Sequence, residues 1–171
     1  MPDVDFGLPL LDNLKTIIEQ DQAAALAWAA AKLPVVASLE NFARVLKCER
    51  VSNRFPSLAI FPVGDAPELG EEAESVDNSV VFGFEIAITS RKPDALTEEL
   101  RKRVAAVRQI VLTASQKYQT DLTVGIESAT FIEVKLGPAQ FEQVREFEDD
   151  AGLYYRSAFL TITFRYLQTG G

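Results

Sequence analysis

Hydrophobic patterning along this chain predicts an α+β fold: a mostly antiparallel sheet flanked by an N-terminal helix and a central amphipathic helix, in one domain. Two observations predict the sheet. Phe82, Phe84, Ile86 and Ile88 alternate with smaller or more polar residues, and Ala158, Leu160, Ile162, Phe164 and Tyr166 do the same near the end. That is the period-two signature of strands with one buried face. A third observation predicts the helix that covers them. Leu96, Leu100, Val104, Val107, Val111 and Ala114 recur at steps of three and four residues and form an apolar stripe.

The first element is a helix over Leu10–Leu33. Leu11, Leu14, Ile18, Ala25 and Trp28 fall at helical spacing, Pro9 suits a helix start and Pro34 marks the end. Trp28 is expected to anchor a core or an interface. Phe42–Val51 alternates loosely and predicts a strand. Phe55–Val63 carries Pro56 and Pro62, which cannot donate to a ladder, so it reads as an edge strand or one with irregular ends. Gly64–Asn78 holds Asp65, Glu68, Glu71, Glu72, Glu74 and Asp77 without a positive charge, and predicts a mobile acidic loop over 64–78.

Val80–Thr89 is the strongest strand. Pro93 then opens the amphipathic helix, with Asp94, Glu98 and Glu99 near its positive dipole end. Arg101, Lys102, Arg103 and Arg108 read as its solvated outer face, with Glu98–Lys102 and Glu99–Arg103 as favourable pairs one turn apart. Leu122–Leu136 predicts one long strand, or two with a bend near Ser128. Gly137-Pro138 reads as a turn. Phe141, Val144 and Phe147 are spaced for one or two helical turns, and Ala151-Gly152 reads as another turn. Tyr154–Tyr166 is the last strand. No internal repeat or composition shift divides the chain, so residues 1–171 read as a single domain with an ordered core over 8–167.

Composition excludes several chemistries. The 171 residues contain no histidine, which removes the commonest general base and metal ligand and every Ser-His or Cys-His arrangement. A single cysteine, Cys48, cannot close an internal disulfide and is expected as a small buried side chain. No phosphate loop, nucleophile elbow or calcium loop is present. The adjacent carboxylates Glu71-Glu72, Glu98-Glu99 and Asp149-Asp150 read as surface pairs. We therefore expect no enzyme, no cofactor and no metal site. The formal net charge is −8, which argues against nucleic-acid binding as the main role. No apolar run approaches a bilayer span and the start is acidic, so a cytoplasmic, membrane-free protein is expected.

The stretch Phe55-Pro56-Ser57-Leu58-Ala59-Ile60-Phe61 runs into the acidic segment. Phe84-Glu85-Ile86-Ala87-Ile88-Thr89 follows, Pro93-Asp94-Ala95-Leu96 opens a helix, and the last strand ends in Phe164-Arg165-Tyr166. In this layout, over residues 10 to 167, the chain resembles the tail terminator (minor tail, tail-completion) family of long-tailed bacteriophages and related particles. The resemblance implies a small α/β subunit that forms a ring, typically hexameric, at the head-proximal end of the tail tube. Such a ring stops tube growth and joins tail to head. It implies as partners other copies of the chain, the tail-tube protein and the head connector protein, and as location the host cytoplasm during assembly and then the virion. No family site residue is carried over.

On charge alone, Asp65, Glu68, Glu71, Glu72, Glu74 and Asp77 are candidates to meet Arg101, Lys102, Arg103 and Arg108 of a neighbouring copy, as a heterologous ring interface requires. The same acidity could line a lumen and repel passing DNA. Two alternatives remain at this point. One is a neck or head-completion protein of a tailed phage. The other is a cytoplasmic ligand-binding α/β domain with a pocket lined by Phe82, Phe84, Tyr154 and Tyr155.

Overall fold

The computed structural model describes residues 7–48, 54–69, 75–117, 122–124 and 129–169. In chain order the elements are α1 (Gly7–Ala30), β1 (Arg44–Leu46), β2 (Ser57–Leu69), β3 (Ser75–Ser90), α2 (Pro93–Lys117), β4 (Ala129–Phe141), β5 (Arg145–Phe147) and β6 (Asp150–Thr169). The strands form one six-stranded sheet in the order β1-β2-β3-β6-β4, with β5 also pairing with β6. Only β1–β2 is parallel. The expected α+β architecture with a mostly antiparallel sheet is what the chain forms.

The register explains the core. Leu58, Ile86 and Ala158 lie opposite one another across β2, β3 and β6, as do Ile60, Phe84 and Leu160. All six are fully buried. Because side chains alternate along a strand, this parity fills one face of the sheet. Both helices pack on that face, α1 toward β1 and β2, α2 toward β3, β6 and β4, and the two contact each other. The stripe on α2 is buried as its spacing predicts, from Leu96 and Leu100 to Val111 and Ala114.

Several segments depart from the sequence expectations. Most of the acidic stretch expected as a loop over 64–78 is strand: β2 and β3 pair from Ser57↔Ala87 as far as Leu69↔Val76, with a register shift between Pro62 and Gly64. Residues 75–79 of β3 also pair with β6 on their other side, so ladder bonds override a composition poor in strand formers. Glu71, Glu72 and Glu74 lie outside the described residues.

Of the strand expected over Phe42–Val51, the described residues 42–48 are strand only in β1, which reaches the first three residues of β2; residues 49–51 lie outside the described residues. Beyond Ala59 the outer side of β2 has no strand partner among the described residues. Pro62 and Pro67 sit on that edge, where their missing N–H costs nothing and blunts strand addition.

Leu122–Val124 is a short turn, not strand. Asn13 of α1 donates its Nδ2 to the carbonyls of Leu122 at 2.9 Å and Val124 at 2.8 Å, which holds the segment against the helix. Gly137-Pro138 is not a turn either. The strand runs through it to Phe141 with a bulge between Leu136 and Ala139. The predicted helical turn around Phe141, Val144 and Phe147 is the end of β4 and the short strand β5, and Gly152 lies within β6 at φ +82°.

Candidate functional site

The four basic residues expected on one solvated face divide between interior and surface. Lys102 and Arg103 are buried, at 7% and 1% exposure. Lys102 donates to the carbonyl oxygens of Ala29 at 3.0 Å and Lys32 at 2.6 Å. Arg103 donates to Glu99 Oε1 at 3.0 Å and to the Glu40 carbonyl at 2.9 Å, and its guanidinium lies 5.3 Å from the Phe42 ring centroid. Burial pushes the Arg103 pKa below its ordinary value, and Glu99 and Glu40 push back. The physical reason for the misplacement is that α2 has two covered faces. One meets the sheet and the other meets the end of α1, whose carbonyls carry the partial negative charge of the helix terminus and attract cations.

Arg101 and Arg108 remain accessible, and the structure brings them together with residues the sequence did not group. They line a shallow groove of about 580 Å³ between α1, α2 and β4. Trp28, 39% exposed, closes one side and Phe141 the other, above a floor that includes Val104, Leu112, Leu136 and Ala139.

Cations stand over both rings. Lys32 Nζ is 5.0 Å from the Trp28 centroid, and the guanidiniums of Arg101 and Arg156 are 5.7 and 5.8 Å from that of Phe141. Such contacts are attractive through the ring quadrupole. Arg108 donates Nη2 to the Gly137 carbonyl at 2.8 Å, while its buried Nε has no hydrogen-bond partner. The surface continues past Arg101 into a hollow of about 570 Å³ that Asp94 and Glu98 also line. The arrangement suits an acidic, partly apolar segment: hydrophobic walls flanked by cations.

The described acidic candidates sit on β2 and β3, not on the elements that line this groove. Asp65, Glu68 and Asp77 lie in the β2–β3 hairpin, and Glu68 is directly opposite Asp77 in register. Val76 of that hairpin pairs with Gln168, whereas Ala139 at the groove pairs with Leu160. Asp77 pairs with Leu167, and Asp65 lies opposite Val80, which pairs with Phe164; along β6 these partners stand seven and four residues from Leu160, about 23 and 13 Å at roughly 3.3 Å per residue.

The ligand pocket considered from sequence does not form. Phe82 and Phe84 are fully buried beneath the helices. Tyr155 has the opposite parity, and its ring lies tilted against that of Phe147, 5.0 Å between centroids. Cys48, expected to be buried, is exposed. Among the described residues there is no cluster of three or more Cys, Asp or Glu placed to hold a metal, and no helix long and apolar enough to cross a membrane.

On the helix-free face Phe61 and Phe159 stack at 6.0 Å. Gly83 lies beneath them, where a Cβ would come within 2.8 Å of both rings.

No family model matches the chain, and no curated protein matches it. Among solved structures, a chain of the "Virion of native gene transfer agent (GTA) particle" aligns with TM-score 0.41 and 12% identity, covering 89% of this chain and 92% of that one. A likeness of that size assigns no role.

Proposed function

We propose that this protein is a structural component of a tailed-phage or phage-like virion. In this reading it assembles as a ring at the head-proximal end of the tail tube, ends tube growth and joins tail to head. The observation that carries the reading is that one subunit bears two unlike charged surfaces on different elements, Asp65, Glu68 and Asp77 on β2 and β3 and Arg101 and Arg108 on α2. On this reading the carboxylates of one copy meet the arginines of another. Two unlike surfaces that pair between copies generate a heterologous contact, and such a contact closes into a ring when its rotation permits. The blunted edge of β2 supports side-chain docking over strand addition at the hairpin. Other copies, the tail tube and the head connector are the partners on this reading, and the acidic exterior needs neither nucleic acid nor cofactor.

The test is electron microscopy of a particle preparation made without this protein. Tails of abnormal length, separated from filled heads, are expected. Tails of normal length joined to heads would sink the reading.

A further inference from the structure

We infer that the turn at the end of α1 and the hollow beside it form a two-fold contact surface for a second copy of this chain. The inference goes beyond the assembly reading and does not depend on it. Its starting point is an apolar knob. Leu33 is 90% exposed and Val35 66%, so two bare aliphatic side chains stand within three residues, where single scattered ones are the rule. The knob is held outward. The Lys32 N–H donates to the Ala29 carbonyl and the Val36 N–H to the Ala30 carbonyl, both at 3.1 Å. Lys102 fastens the same turn from α2 through its bonds to the Ala29 and Lys32 carbonyls. A turn tied at both ends offers its apolar surface to a partner at little further cost in ordering.

The hollow of about 570 Å³ supplies the complement. Leu33 stands on its rim, and Ala29 and Ala105 give it a small apolar lining. Lys32 from the turn and Asp94 and Glu98 from α2 give it both signs of charge. Among the described residues, none of these three has an ion-pair partner. A surface with a knob beside a socket and a cation beside carboxylates is complementary to itself. Turned by a half rotation against a second copy, it sets each Leu33 at the other's hollow and each Lys32 toward the other's Asp94 and Glu98. That contact is isologous and closes at two copies. A partner of a single sign would leave part of the hollow's charge facing its like, which favours a second copy as the occupant.

The test is sedimentation velocity of the full-length protein, raised in concentration to about 1 mM. Wild type is expected to pass from monomer to dimer with no larger species. Leu33→Asp changes a side chain already in water, so it should keep the wild-type Tm while weakening the dimer about tenfold or more. Lys32→Glu and Glu98→Lys should each weaken it as well, and K32E/E98K in one chain should recover it, since the signs across the contact are then exchanged together. Circular dichroism checks that each variant folds.

A protein that stays monomeric throughout, or a dimer that Leu33→Asp leaves intact, overturns the inference. So does a charge exchange that fails to recover the dimer. A Leu33-dependent series of species larger than two copies overturns it too, because that marks a head-to-tail contact. Any of these outcomes leaves the assembly reading as it stands, since that reading is tested on particles and not on the free protein.

Discussion

The ammonium of Lys102 lies 3.0 Å from the carbonyl oxygen of Ala29, so α2 supplies a cation where α1 has none in its own last turn. The chain leaves the helix through Leu33-Pro34, and Lys102 also holds the Lys32 carbonyl at 2.6 Å. A helix end carries unpaired carbonyls and partial negative charge, and a buried donor answers both. Lys102→Met keeps the aliphatic stem and removes the donor. We expect a loss of about 1–3 kcal/mol, read as a fall in Tm of several degrees by thermal unfolding. An unchanged Tm would show that the contact contributes nothing.

Arg103 and Glu99 are unequal partners. Arg103 is 1% exposed and Glu99 is 29% exposed. Glu99→Gln therefore strands a buried charge and is expected to cost about 3 kcal/mol. Arg103→Met removes the desolvated charge, keeps most of the packing against Phe42 and leaves Glu99 within reach of water, so it costs less. Chemical denaturation of both variants checks the order, and a larger loss for Arg103→Met would refute the assignment of Arg103 as the buried member that needs its partner.

Two glycines are under different constraint. A Cβ on Gly137 would approach the Thr161 carbonyl oxygen to 2.6 Å, against backbone that is held in the β3–β6 ladder by the Gly83↔Thr161 pair. A Cβ on Gly83 would press instead on the Phe61 and Phe159 rings and Val63, side chains that can shift. Overpacking costs about 1–3 kcal/mol. Gly137→Ala should fall at the upper end and Gly83→Ala at the lower. In a Phe61→Ala background the Gly83→Ala penalty should shrink further, a coupling that a double-mutant cycle measures.

Cys48 is exposed. One equivalent of thiol per chain should therefore react with a maleimide in native buffer, without denaturant, as mass spectrometry reports. Labelling that requires unfolding would place the thiol in the interior.

How much of this was legible in the sequence depended on whether an element met one neighbour or two. β3 and β6 were readable because the helices cover one face, so the large apolar side chains of that parity, Phe84 and Leu160 among them, are fully buried; on the opposite parity small residues such as Ala87 and Ser157 are buried too. The apolar stripe of α2 was readable for the same reason. Its second contact was not. Lys102 and Arg103 look like solvated charges, and only the approach of the α1 terminus and the Glu40 carbonyl turns them inward.

The acidic hairpin was misread because its carboxylates and prolines disfavour strand locally, while its pairing is dictated by β3 continuing along β6. The groove could not be assembled from sequence. Trp28 and Phe141 are far apart in the chain, and Phe141 sits at a spacing that suggested helix until the bulge at Gly137-Pro138 carried β4 past it.

Placing α1 and α2 on the same side of the sheet makes the subunit lopsided from front to back. One side is helical, with Trp28 and Arg101 accessible; the other is bare sheet bearing the Phe61–Phe159 stack. A molecule resting on the subunit therefore meets relief and charge on one side and flat aromatic sheet on the other, without any change of shape.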